Sequence, residues 1–290
     1  VTPVMIHSSL KFIEKNPLKI SLPKSSLIFF LAWGLGLQAS DAVDFETQTL
    51  TIALTQEPPQ LDSTKATDQV SGMLLGHLMQ GLVRYDRRGN VIPGVAERWE
   101  MDGNTATFWL REDAKWSDGK SVTANDFVFA WQRVVDPKTA SEYAFILSPI
   151  KNAIEVNEGK LPVTQLGAVA LDDKTLRVSL ARPTAYFVKL TAFNTFYPIR
   201  QDFFESRGDQ YAAEANGMLY NGPFKLTNWT HSSSLKMVKN EHYWDRQNIS
   251  LNAIHVDYIT ADTRARLNLY TDRKIGFTRL DGETYKDALS

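Results

Sequence analysis

The stretch from Thr105 to Tyr143 constrains the fold of this chain more than any other part of the sequence. Apolar and polar residues alternate from Thr105 to Leu110, which predicts a strand, and Asp118-Gly119 predicts a turn because glycine accepts positive φ. After the turn, Thr123 can accept a hydrogen bond from the free N–H groups of a first helical turn. Asp126 favours the positive end of the helix dipole. The sequence therefore predicts a strand, a turn and a helix in this order.

The predicted helix has one apolar face. Apolar residues recur in it at helical spacing, at Phe127, Ala130, Trp131, Val134 and Val135. Pro137 ends the helix, because proline has no N–H and disfavours α geometry in the residue before it. This pattern alone describes an amphipathic helix packed on a core and indicates no function.

The composition is that of a globular protein long enough for two domains. The 290 residues have a formal net charge of −1, so nothing in the charge balance favours nucleic acid or an anionic membrane as a partner. Aromatic residues make up 11% of the chain; most are expected in the core, and a receptor for varied side chains would also use them. The chain has no cysteine, which excludes disulfides, thiolate metal sites and a lipid-modified cysteine.

The first 42 residues have the layout of a secretory signal peptide. The most apolar stretch, Ser26 to Leu37, is shorter than the roughly 20 residues of a membrane span. Lysines precede it and small residues follow it. We expect cleavage near Ala39 or Ala42, and a periplasmic protein that is not a lipoprotein. An uncleaved anchor or a buried strand is the alternative.

Periodicity predicts further elements after residue 42. Alternation predicts strands at Thr49–Leu54, Leu176–Leu180 and Leu251–Thr260, and a short strand at Ile275–Thr278. Helical spacing predicts helices at 68–82, 151–160, 185–190 and 262–270.

The sequence contains no constellation of catalytic residues. The motifs GxSxG, HExxH and GxGxxG and the P-loop are absent. His77 on the apolar face of the first helix could be a ligand, but such a histidine is more often a packed helix residue. His242 is better explained as a surface residue, and the adjacent Asp172 and Asp173 face different ways on a turn. We therefore predict no enzyme activity, no cofactor and no metal site.

Six motifs in the same order resemble one protein family. They are GLVRYD, PGVAERWE, FWLREDAKWSDG, VTANDFVFAWQR, VVDPKTASEYA and NEHYWD. From Thr49 onward the chain is similar to the family 5 extracellular solute-binding proteins, the periplasmic oligopeptide receptors of ABC importers. The resemblance implies a mixed α/β fold, of the class II periplasmic-binding-protein type. It also implies an oligopeptide ligand and an ABC permease in the inner membrane as partners, and no nucleic acid.

The resemblance implies a division into domains as well. Residues 43–80 and 201–290 would form the two segments of a large lobe (domain I), and residues 81–200 a small domain (domain II). The second large lobe (domain III), which in the family supplies charged partners for both ends of a peptide, would be absent. We therefore expect a truncated half that binds peptide weakly or not at all alone, with a C-terminal half that could be separately encoded.

The resemblance predicts six ligand-contacting residues. Thr67, Asp68 and Gln69 lie where the family runs an extended strand along the peptide backbone, although the segment also has the features of a capped helix start. Tyr143 aligns with a family tyrosine near the amino end of the peptide; a core or surface tyrosine is the alternative. Phe193 and Arg279 fall in segments that approach the cleft in relatives.

Two alternative functions stay open. The chain could be a receptor for a dipeptide, nickel or haem, or a decayed fragment with only an interaction role.

Overall fold

The computed structural model describes residues 41–288. Within this range the chain forms eleven strands in three sheets and seven α-helices. The predicted signal peptide lies outside the described residues except for its last two positions. Of these, Ala42 belongs to the fold: it is buried, its N–H donates to the carbonyl of Arg273 at 2.8 Å, and its carbonyl accepts from the N–H of Thr51 at 2.7 Å.

The largest sheet combines residues from both ends of the described range. Its neighbours lie in the order β1-β2-β11-β10-β9, with β2 and β11 parallel and the other pairs antiparallel. Alternation along β2 and β11 places Ile52, Leu54 and Val256 in the core, so the predicted strands in these two regions are confirmed. The strands are β1 (Val43–Asp44), β2 (Thr49–Leu54), β9 (Phe224–Thr230), β10 (Ser234–Lys239) and β11 (Ala253–Ile259).

The middle of the chain forms a hairpin and a second sheet. The hairpin pairs β3 (Val83–Tyr85) with β4 (Val91–Pro93). The second sheet is antiparallel with the order β5-β6-β8-β7, and the alternating residues Ala106, Phe108 and Leu110 of β6 are buried, as the sequence predicted. Its strands are β5 (Ala96–Asp102), β6 (Thr105–Leu110), β7 (Ala168–Ala170) and β8 (Thr175–Ser179).

The longest helix of the described residues, α2, packs against the second sheet through β7 and β8. The five residues of its predicted apolar face are fully buried. The predicted start of this helix is confirmed, and the carboxylate of Asp126 accepts the N–H of Thr123 at 2.9 Å, which fixes the first turn. The helices are α1 (Gln69–Leu78), α2 (Ala124–Val135), α3 (Ala153–Asn157), α4 (Phe187–Leu190), α5 (Gln201–Arg207), α6 (Thr263–Thr271) and α7 (Thr284–Asp287).

Helix α1 ends at Leu78, so the prediction of a helix over residues 68–82 was wrong at its carboxyl end. Met79 has an extended backbone. Beyond it, the N–H of Gln80 donates to Asn221 Oδ1 at 3.0 Å, and Asn221 Nδ2 donates to the carbonyl of Gln80 at 2.9 Å. This buried pairing, with a residue 141 positions away, takes the chain out of the helix and overrides the local apolar spacing.

Two other predictions were partly or wholly wrong. Helix α3 covers only half of the predicted range 151–160. The range 275–278 is not a strand: only the N–H of Gly276 donates to β2, to the carbonyl of Thr51 at 2.8 Å. A single hydrogen bond is too few for a β-ladder, but it holds this segment close to β2. A Cβ at Gly276 would collide there with the side chain of Leu50.

One hydrophobic core contains residues of the five-stranded sheet, of the four-stranded sheet and of α2, including Ile52, Phe108, Trp131 and Leu235.

The division into domains at residues 80 and 200 stays a prediction. Among residues 41–288, no helix combines the length and the apolar character that crossing a bilayer requires.

Candidate functional site

The segment 67–69 joins the loop after β2 to helix α1. Asp68 is extended, and its carboxylate accepts the N–H of Ser71 at 2.9 Å, so its side chain caps the helix. The main-chain N–H groups of Thr67, Asp68 and Gln69 have no hydrogen-bond partner among residues 41–288. Thr67 and Asp68 precede the helix and Gln69 is its first residue, so these free donors lie in a partly exposed stretch where the main chain enters α1. Free main-chain donors at such a place are suited to bind carbonyl groups of a ligand.

A buried ion pair fixes the loop that leads to this segment. Arg133 of α2 contacts Asp62 with 3.1 Å between Nη2 and Oδ2, and their side chains are only 12% and 8% exposed. Asp62 also accepts the N–H and the hydroxyl of Thr64 at 3.0 and 2.7 Å. The guanidinium of Arg133 lies 3.8 Å from the ring centre of Phe204. The loop is therefore attached to the core of the protein through α2.

The structure brings three predicted residues together beside the segment. The hydroxyl of Tyr143 donates to the carbonyl oxygen of Thr67 at 3.2 Å, and the Tyr143 ring lies 5.9 Å from the ring of Phe193. Phe145, which the sequence analysis did not select, meets Tyr143 edge-on at 6.0 Å. Phe193 and Phe145 are 41% and 67% exposed. Tyr143, Phe145 and Phe193 thus form an exposed aromatic patch on which a ligand can pack.

The other two predicted residues, Gln69 and Arg279, line one cavity of about 140 Å³. The walls come from the end of β2, from helices α1 and α6, and from the segment after α6. We call it the apolar cavity; its other lining residues are Ala53, Leu54, Thr55, Val70, Met73, Arg266, Phe277 and Thr278. It lies at the carboxyl end of β2, which is parallel to β11, and the carboxyl ends of parallel strands are common ligand sites.

The six predicted residues therefore form two neighbouring groups joined by Asp68. Sequence analysis missed Phe145 and Arg266, which lie beside the predicted residues. No local signal marks Phe145, because its neighbour Phe193 is 48 positions away along the chain. Arg266 reaches the cavity only because helix α6 follows β11, which pairs with β2.

His77, which the sequence offered as a possible ligand, has structural partners. The ring Nδ1 of His77 donates to the carbonyl of Met73 at 2.8 Å, and the ring packs 6.4 Å from Phe224. This is a packed helix residue. Between residues 41 and 288, no three histidine or acidic side chains are grouped so that they could hold a metal ion.

A larger surface concavity of about 660 Å³ has Asp62, Arg133 and His231 among its lining residues. Its His231 contacts Glu57 at 2.6 Å and Glu214 at 3.3 Å. The hydrogen bond that His231 donates to the carboxylate of Glu57 raises the pKa of His231. Most of the charged groups there are paired with one another, and the concavity contains none of the predicted ligand residues. The segment 67–69 is therefore the better candidate site.

Comparison with known proteins decides the family. The model of the bacterial extracellular solute-binding proteins, family 5 Middle, matches residues 90–284, which is more than half of the chain. The chain belongs to family 5 of the bacterial extracellular solute-binding proteins. The family predicted from the sequence motifs is confirmed.

Curated relatives agree with this membership. The oligopeptide-binding protein OppA of Bacillus subtilis is 40% identical over 208 residues, which are 71% of this chain and 38% of the relative. The periplasmic oligopeptide-binding protein OppA of Salmonella typhimurium is 38% identical over 246 residues, 84% of this chain and 44% of the relative. The chain thus spans less than half the length of these relatives. Both relatives are binding proteins, and the second is periplasmic.

Solved structures confirm the mixed α/β, periplasmic-binding-protein fold. The substrate-binding domain of an oligopeptide ABC transporter from Bacillus anthracis has a TM-score of 0.79 at 46% identity, covering 82% of this chain and 46% of that one. OppA of Listeria monocytogenes bound to peptide has a TM-score of 0.78 at 40% identity, covering 81% and 47%.

Proposed function

We propose that this family 5 member is the substrate-binding component of an ABC-type oligopeptide importer and binds peptides mainly through their backbone. The observation that carries the proposal is the row of three unpaired N–H groups at Thr67, Asp68 and Gln69, beside the hydroxyl of Tyr143. A receptor for varied peptides must use the backbone, because only the backbone is common to all of them. Two similar solved structures, the substrate-binding domain of an oligopeptide ABC transporter and an OppA bound to peptide, support the same ligand class.

The site residues have separate roles in this proposal. The N–H groups of 67–69 bind ligand carbonyls, and the aromatic patch packs against the amino-terminal part of the peptide. Gln69 and Arg279 contact the other end. No covalent chemistry is involved; in the whole receptor, closure of two lobes around the ligand would exclude water and strengthen these polar contacts.

Ligand titration tests the proposal. The 290-residue chain is titrated with tri-alanine, tri-serine and free alanine, and binding is followed by NMR signals of the ligand. Because the site is open on one side in residues 41–288, we expect weak binding, with a Kd on the order of 1 mM. The two tripeptides should bind with similar affinity and free alanine should not bind. Equal binding of free alanine, or binding of neither tripeptide, would contradict the proposal.

We further propose that the protein is periplasmic, exported by a cleavable signal peptide, and that its partner is an ABC permease of the inner membrane. Cleavage near Ala39 fits the fold better than cleavage after Ala42, because Ala42 is buried and bonded to Thr51 and Arg273. Mass spectrometry of the exported protein measures its first residue. A separately encoded C-terminal half stays a prediction, which sequencing of the DNA beyond the codon of Ser290 tests.

A further inference from the structure

The apolar cavity has the size and walls of a pocket for one apolar group. Its volume of about 140 Å³ is close to the roughly 150 Å³ of an apolar cavity that binds benzene. Leu54 and Val70 line it as buried residues, and Ala53, Met73 and Phe277 add apolar surface. One branched aliphatic or aromatic side chain would fill the cavity and leave no space for a second group of that size.

Positive charge lines this cavity without an acidic partner. The guanidinium of Arg279 has no hydrogen bond or ion pair among residues 41–288. Arg266 donates to the carbonyl of Thr260 at 2.8 Å and to the hydroxyl of Thr263 at 3.1 Å, and it too has no carboxylate partner in this range. No acidic side chain lines the cavity. The nearest one along the chain, Asp68, is bound to the N–H of Ser71.

We propose that the apolar cavity binds the apolar group of an organic anion whose carboxylate pairs with Arg279 and Arg266. In a peptide, this anion is the carboxyl-terminal residue, with an aliphatic or aromatic side chain and a free carboxylate. This form of the inference rests on the proposed peptide-binding function. It goes beyond that function by assigning the carboxylate a partner within this chain, whereas the family resemblance implies charged partners in the second large lobe.

The assignment also gives the peptide a direction. The carboxyl end lies at Gln69 and Arg279, and the amino-terminal part runs along Asp68 and Thr67 toward Tyr143. An extended chain rises about 3.3 Å per residue, so the segment 67–69 matches about three ligand residues. A small inorganic anion fits less well, because it would leave the apolar walls of the cavity uncovered.

Matched ligands and matched variants test this inference in the 290-residue chain. The ligands are Ala-Ala-Leu with a free carboxylate, its carboxyl-terminal amide, Ala-Ala-Asp, and 4-methylpentanoate, an apolar carboxylate without a peptide bond. The variants are Arg279→Gln and, as the control, Arg264→Gln. Arg264 also lies on α6 but pairs with Asp287 at 3.2 Å and does not line the cavity. NMR titration gives each Kd, and circular dichroism checks that the variants fold.

The expected result is that Ala-Ala-Leu binds at least about fivefold more tightly than its amide and than Ala-Ala-Asp. Arg279→Gln should remove the difference between acid and amide, and Arg264→Gln should preserve it. If the tripeptides bind but acid and amide are equal in the unmodified chain, the inference is overturned while the peptide-binding function stands. If only 4-methylpentanoate binds, and Arg279→Gln abolishes this, the site takes a free apolar acid and the peptide function fails. If no ligand binds, both fail.

Discussion

The hydroxyl of Tyr143 donates a hydrogen bond to the main-chain carbonyl of Thr67 at 3.2 Å, across 76 positions of the chain. The bond joins the aromatic patch to the segment that carries the free N–H groups. It holds one carbonyl of this segment in place and leaves the donors of Thr67, Asp68 and Gln69 without a partner. A hydrogen bond therefore joins the two parts of the candidate site, the aromatic patch and the segment 67–69.

Replacing Tyr143 with phenylalanine tests this connection, since the ring stays and only the hydroxyl is lost. We expect the free energy of unfolding to fall by about 0.5–1.5 kcal/mol, the usual net value of one hydrogen bond. The affinity for tri-alanine should fall several-fold, because the segment is less firmly held. Urea unfolding and NMR titration measure the two effects. Tyr186→Phe is the control, because Tyr186 is 54% exposed and its hydroxyl has no partner within residues 41–288; equal effects of both variants would refute the connection.

Two substitutions at Gln69 separate the role of its N–H from that of its side chain. Gln69→Ala and Gln69→Pro both remove the amide side chain, but only proline removes the N–H. Proline is favoured at the first position of a helix, and Asp68 before it already has a compatible ψ of 157°. We therefore expect similar stability for both variants, and weaker binding of tri-alanine by Gln69→Pro than by Gln69→Ala. Identical Kd values would show that this N–H does not bind ligand.

Local sequence predicted those elements whose stabilising contacts are local. The N–H of Thr123 and the carboxylate of Asp126 lie three positions apart, and the helix that they start was predicted correctly. The end of α1 depends on Asn221, and the apolar cavity depends on the pairing of β2 with β11. These contacts join distant parts of the chain, so no local pattern reveals them. All six predicted ligand residues came from the family resemblance rather than from periodicity, and Thr67 and Asp68 also carried a local capping signal.

The buried pair of Asp62 and Arg133 should be a strong stabilising contact. Asp62→Asn leaves a largely buried guanidinium without its anion, so we expect a loss of about 3–5 kcal/mol in the free energy of unfolding. Arg133→Met should cost less, because the donors of Thr64 still satisfy Asp62. A double-mutant cycle by urea unfolding gives the coupling energy. The exposed pair of Lys120 and Asp202, at 64% and 59% side-chain exposure, is the control and should couple by less than about 1 kcal/mol; similar coupling in the two cycles would contradict this account.

Asp126 should make stability depend on pH. Its burial raises its pKa to about 6, although Thr123 and Trp116 donate hydrogen bonds to its carboxylate. The folded state therefore holds this proton more tightly than the unfolded chain. The contribution of the group to stability is complete below about pH 4 and is lost as the pH rises to about 6, by roughly 2–3 kcal/mol.

The substitution Asp126→Asn keeps an acceptor oxygen and removes the titration. Urea unfolding at pH 4, 5, 6 and 7 should show the unmodified chain losing stability relative to this variant as the pH rises. Asp102→Asn on the exposed end of β5 is the control. A stability difference that is constant with pH, or that changes in the opposite direction, would show that the carboxyl group is not perturbed in this way.

The most direct test of the account is a ¹⁵N NMR titration of the 290-residue chain with tri-alanine, in which the main-chain amides of residues 67–69 are followed individually. We predict that the signals of Thr67, Asp68 and Gln69 shift together as peptide is added. Hydrogen exchange should slow at two of the three, because the two amide carbonyls of tri-alanine can accept from two of these donors. Unchanged signals at all three residues, with shifts confined to the concavity around His231, would contradict the proposed site.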